Sequence, residues 1–266
     1  MTASLAFSIL TYLLALGLGG FAVIHYARKR KPVLRSMGLT LNRWLPIDIA
    51  VGLAITFVAI GLVFVVELLL GVVAVQPGTL TWSSFASEVL VPLIQAAALE
   101  EFLFRVLLLS GVAILLSRLT HGRWIAVLLT AALFGAGHLG NDGATAVSAF
   151  GTGLGGVIYA VAFLATRSVW LPFGLHLGWN MAQGLFGFPI SGNIVPGWFS
   201  TASTGPELLN GGAYGPEGGI PGMLARVLII AMVFAYVKTR WPDGSIATLR
   251  FAPAPEKHGA VLQPTT

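Results

Sequence analysis

Apolar stretches of roughly 20 residues recur along this chain, each long enough to cross a bilayer core of about 30 Å. We read seven of them, at residues 5–27, 46–75, 84–116, 123–140, 148–166, 170–188 and 221–239. The chain has 266 residues, of which 56% are hydrophobic and only 9% charged. Soluble domains carry about 25% charged residues. The expected fold class is therefore all-α, a polytopic transmembrane helix bundle. We expect a single membrane-embedded domain over residues 1–245 and a flexible cytoplasmic tail over 246–266. The expected location is a multi-pass integral protein of a plasma (inner) membrane. The first stretch lacks a basic n-region, so it does not read as a cleavable signal peptide. With no cysteine, disulfides, thiol chemistry and cysteine ligation of a metal are excluded.

The net charge of +5 does not point to nucleic acid, because the basic residues follow the topology. Arg28, Lys29, Arg30, Lys31, Arg35 and Arg43 follow the first span, Arg118 and Arg123 the third, and Arg167 the fifth. Lys238, Arg240, Arg250 and Lys257 follow the seventh. The intervening segments 76–82, 141–146 and 189–220 contain no Lys or Arg. By the positive-inside rule, the N-terminus lies outside and the C-terminus is cytoplasmic. The expected surroundings are the lipid bilayer, with no nucleic-acid partner. The segment 189–220, rich in Gly, Pro, Ser and Thr, is expected to be an external loop with little regular structure.

Two adjacent carboxylates, Glu100 and Glu101, interrupt the third apolar stretch, with Arg105 close behind. A charged side chain at the bilayer centre costs at least about 2.5–3.5 kcal/mol, so such residues are functional-site hypotheses by default. Glu101 and Arg105 are four apart on one helix face and can pair. Glu100 points about 100° away and is left free. The third stretch, 33 residues as read, would reach about 50 Å as a straight helix; it must tilt, extend beyond the core or bend near Pro92.

Further polar residues lie in later stretches: His138, and the pair His176 and Asn180, which share a face. A lone intramembrane His or Asn is often a helix–helix hydrogen bond and nothing more. Glu67 and Glu88 read as interfacial or cavity-facing. Arg226 reads as an outer-end arginine able to snorkel. The pairs Gly174/Gly178 and Gly151/Gly155 suit close helix packing. Counted from the nearest basic residue, His176 lies about 13 Å deep and His138 about 22 Å. Their helices must tilt differently, or one must start deeper, for the rings to meet.

The ordered set Glu-Glu-x-x-x-Arg (Glu100–Arg105), Phe-x-x-x-His (Phe134–His138) and His-x-x-x-Asn (His176–Asn180) resembles the CAAX protease and bacteriocin-processing family of intramembrane endopeptidases. That family includes the type II CAAX prenyl proteases and bacterial Abi-type relatives. The resemblance covers about residues 89–188. It implies hydrolysis of a peptide bond in a membrane-associated peptide or protein. Glu100 would be the general base, with His138 holding the water and His176 and Asn180 stabilising the oxyanion. Glu101 and Arg105 would support them. No cofactor is required on this reading. The alternative is a metallo-endopeptidase in which Glu100, His138 and His176 ligate Zn²⁺, although the chain lacks a His-Glu-x-x-His motif. Two other function classes compete: an ion-coupled transporter, whose proton relays use the same residue types, and a non-catalytic membrane scaffold.

Overall fold

A computed structural model describes residues 3–241. The expected tail, with Arg250 and Lys257, lies outside the described residues. Seven main helices follow in chain order: α1 (Ala3–Arg28), α2 (Trp44–Leu69), α3 (residues 86–115), α4 (Gly122–Gly137), α5 (Ala146–Thr166), α6 (Trp170–Leu185) and α7 (Ile220–Arg240). By length and composition, α1, α2, α5 and α7 can each cross a membrane, and α4 is a shorter apolar helix. α4 and α6 have 16 residues each, about 24 Å of rise. The expected second span runs too far: its last residues belong to a strand, because the helix stops at Leu69.

The long third stretch continues as helix through Pro92. It alternates between two helical windings: π over Ala86–Leu90, α over Val91–Glu101, π over Phe102–Leu109 and α over Ser110–Leu115. Pro92 sits in the first turn of the α-helical part, where its missing N–H costs least. The second π segment begins directly after the two glutamates. π turns inside α-helices are frequent at functional sites.

Glycines bring the site-bearing helices close. A Cβ on Gly174 of α6 would meet Ile49 O of α2 at 2.6 Å, and one on Gly178 would meet Leu53 Cα at 2.8 Å. One on Gly156 of α5 would meet Ala131 Cα of α4 at 2.9 Å. Gly155 faces a side chain instead: its added Cβ would lie 3.2 Å from Arg226 Cζ of α7. α5 starts from a capping box, in which the Thr145 side chain accepts from Ser148 N–H and the Ser148 hydroxyl accepts from Thr145 N–H.

The bundle has two chemically different ends. At one, Asp48 and Arg240 form a buried ion pair, and Arg240 and Trp241 donate to the last carbonyls of α5 at Thr166 and Ala165. Trp170 Nε1 donates to Thr40 O at the same end. At the other end, β1 (Val73–Pro77) pairs antiparallel with β2 (Phe199–Ser203), in the register Val73↔Ser203 to Pro77↔Phe199. The segment expected to be an irregular loop is thus built. It contributes β2, a helical turn at Glu207–Asn210 and two 3₁₀ turns, Gly212–Tyr214 and Pro216–Gly218. The small sheet departs from a purely helical fold.

Candidate active site

Glu100 and Glu101 sit side by side on α3 but live in different surroundings. The Glu101 side chain is 1% exposed, whereas that of Glu100 is 26% exposed. Glu101 Oε1 lies 3.1 Å from Arg105 Nη1, and Arg105 Nη2 donates to Gly156 O at 3.3 Å. The Arg105 guanidinium also lies over the rings of Phe134 (4.7 Å) and Tyr159 (5.0 Å). Arg105 Nη1 makes no aligned hydrogen bond, so its pairing with Glu101 rests on charge proximity.

Glu101 also does something the spacing did not reveal. Its Oε1 lies 2.8 Å from His176 Nδ1. A carboxylate oxygen accepts, so Nδ1 carries the hydrogen and Nε2 is left as the reactive nitrogen. Tyr159 stacks on the same imidazole, with centroids 4.8 Å apart and planes at 15°. His176 is therefore fixed from two sides.

His138 lies just past the end of α4. Its Nδ1 donates back to Phe134 O at 2.8 Å, which again leaves Nε2 free. This backward reach resolves the depth mismatch. The ring folds towards the preceding turn, and Nε2 of both histidines lies 3.9 Å from Glu100 Oε2. That is too long for a direct hydrogen bond. It is close to the spacing of two acceptors served by one water, about 4.4 Å for bonds of 2.8 Å.

These groups line a cavity of about 440 Å³, together with Asn180, Tyr159 and Phe104. The structure thus brings Glu100, His138, His176 and Asn180 to one cavity, with Glu101 and Arg105 behind the wall. Asn180 makes no hydrogen bond to the Glu–His cluster among the described residues. The donor types would suit zinc, and their spacing here is wider than that around a bound ion. Ligands at 2.0–2.2 Å around a tetrahedral ion lie roughly 3.3–3.6 Å apart, short of the 3.9 Å found on both sides of Glu100. Among the described residues, no three His, Asp or Glu side chains form a group able to hold a metal ion.

A second buried ion pair borders the same cavity. Arg226, expected to snorkel, is instead 2% exposed, and its Nη2 donates to Glu217 Oε1 at 2.6 Å. Trp179 Nε1 donates to that oxygen at 2.8 Å, and the Ser191 hydroxyl donates to Oε2. The guanidinium stacks on Trp179 at 4.5 Å and donates to Gly151 O. Burial alone would push the Glu217 carboxyl up; Arg226 and the Ser191 hydroxyl outweigh it and hold the group below its ordinary value. Nearby, burial pushes the Tyr214 hydroxyl up to about 12. Glu67 also departs from expectation: it is fully buried, and neither carboxyl oxygen has a hydrogen-bond partner among the described residues. Glu88 is exposed.

The comparisons with known proteins bear on this core. Residues 81–182 match the family described as type II CAAX prenyl endopeptidase Rce1-like. The matched segment holds all three motifs, from Glu100 to Asn180. The match supports a CAAX-type intramembrane protease in general, and with the four apolar helices it marks an integral membrane protein. No curated protein and no solved structure matches significantly.

Proposed function

We propose that the protein is an intramembrane endopeptidase of the plasma (inner) membrane that uses Glu100 to activate water without a metal. One observation carries the reading: a cavity-facing carboxylate flanked at 3.9 Å by the free Nε2 atoms of two histidines. Water held there gives one hydrogen to Glu100 and the other to His138 Nε2. On attack, Glu100 takes the proton as the water oxygen bonds to the scissile carbonyl carbon. The carbonyl oxygen becomes an oxyanion. Asn180 offers its amide N–H to it in every protonation state. His176 adds an Nε2–H when its ring carries hydrogen on both nitrogens. Glu100 then returns its proton to the departing amine, and the carbon–nitrogen bond breaks. The protein itself ends unchanged.

The substrate on this reading is a membrane-associated peptide or protein. The test is cleavage of a peptide library by purified protein in nanodiscs, with and without 1,10-phenanthroline. We expect cleavage that the chelator leaves intact. Loss restored by added zinc would move the reading to a metalloprotease, and absence of any cleavage would remove the hydrolase reading.

A further inference from the structure

The notable asymmetry of the molecule is which end carries the cavity. The two ends of the bundle differ in charge as well as in structure. Arg28 to Arg43, Arg118, Arg123, Arg167, Lys238 and Arg240 all belong to the connections and helix ends at the Asp48–Arg240 end. The connections at the β1–β2 end hold no Lys or Arg; their charged residues are Asp142, Glu207 and Glu217, with Glu88 on the first turn of α3.

The cavity runs from the middle of the bundle towards the second end. Ile190, Ser191, Asn193 and Val195 of the built connection form part of its wall. Asn141, three residues after His138, donates through Nδ2 to Ser191 O at 2.8 Å, tying the His138 turn to that connection. The halves of α1 and α3 nearest this end add Ser8, Thr11, Tyr12, Pro92, Leu93 and Ala96 to the wall. No residue of the basic connections lines it. Towards the basic end lie close-packed side chains of α3 and α5, among them Leu108, Leu109 and Phe163, each at most 1% exposed.

Lys- and Arg-rich connections stay on the cytoplasmic side. We therefore propose that the catalytic cavity opens on the non-cytoplasmic side of the membrane. On the endopeptidase reading above, its substrate is then the non-cytoplasmic segment of a membrane-anchored polypeptide. Cytosolic prenylated tails fall on the wrong side. The lining is mostly apolar, with Leu93, Phe134, Ile190 and Val195 among it, and the Glu217–Arg226 charges beside it are matched to each other, so the accepted stretch is a largely apolar one.

The absence of native cysteine makes sidedness directly measurable. Leu208→Cys lies on the built connection and Leu119→Cys on a basic one; the native residues are 54% and 53% exposed. A membrane-impermeant maleimide applied to intact bacterial cells is expected to label Leu208→Cys at once and Leu119→Cys only after permeabilisation. The reverse pattern overturns the proposal whatever the protein's activity. In parallel, a lipid-anchored fluorogenic peptide library is added to the outside of right-side-out and inside-out membrane vesicles. Cleavage is expected at least 10-fold faster with right-side-out vesicles. Faster cleavage with inside-out vesicles overturns the substrate class. Cleavage by neither, with labelling as expected, removes the endopeptidase reading and its substrate while the cavity's sidedness stands.

Discussion

Glu101 holds His176: its Oε1 lies 2.8 Å from the imidazole Nδ1, and the same oxygen lies 3.1 Å from Arg105 Nη1. One buried carboxylate therefore balances an arginine and sets the tautomer of a histidine whose other nitrogen faces Glu100. Its role is positioning.

Separating those two duties gives the first prediction. Glu101→Gln leaves the Arg105 guanidinium buried without its counter-charge, and breaking a buried pair costs about 3–5 kcal/mol. The double variant Glu101→Gln/Arg105→Met removes both charges and should recover most of that loss in thermal stability. Activity should not recover. Partners that orient a histidine are worth about 10–100-fold, so the double variant should remain at least about 10-fold down in kcat with KM little changed. A double variant restored to full turnover would show Glu101 to be a counter-ion only.

The second prediction concerns acid. The Glu217 carboxyl is held below its ordinary value of 4.5. A carboxylate so shifted contributes stability that is present above the ordinary value and is lost as pH falls through the lowered one. The melting temperature in detergent should therefore fall between about pH 4.5 and lower pH. In Glu217→Gln, which leaves Arg226 buried and uncompensated, it should already be reduced at pH 7. The difference between the two proteins should narrow on acidification. Parallel curves would mean that the carboxylate contributes nothing specific.

The third prediction tests helix approach. A methyl group on Gly174 would sit 2.6 Å from Ile49 O and 2.8 Å from Ile49 Cα, both backbone atoms that yield only if α2 and α6 part. Overpacking of this kind costs about 1–3 kcal/mol. Because His176 lies two residues on, Gly174→Ala should lose turnover as well as stability. Gly61→Ala is the control. A Cβ there meets nothing within 4 Å, and the exchange should be neutral or slightly stabilising. Equal behaviour of the two variants would remove the close-packing account.

Much of this site was legible because helical periodicity is strong. The i,i+4 relation of Glu101 to Arg105, and the different heading of Glu100, follow from 100° per residue and appear in the structure as a buried and a cavity-facing carboxylate. The His176–Glu101 bond was not legible, since it joins residues 75 apart and depends on how two helices rotate against each other. The depth mismatch of His138 arose from counting backbone rise alone; its ring reaches back a turn to Phe134 O. Segment 189–220 misled most. Gly and Pro there read as irregular loop, yet Glu217 and Arg226 find each other across nine residues and fix the connection against Trp179 and Ser191. Glu217, nine residues before the one arginine inside the following span, Arg226, was the available signal. Tyr159, against His176, carried none.

The central claim is that Glu100 is the base. Its side chain faces a cavity, so Glu100→Gln should keep the fold, with a melting temperature within about 2 °C of the parent. Loss of a general base costs about 10²–10⁴-fold. The most direct measurement is kcat of purified Glu100→Gln in nanodiscs on a peptide that the parent protein cleaves. The account predicts a fall of at least about 100-fold in a protein that is still folded. Unchanged cleavage by the folded variant would contradict it.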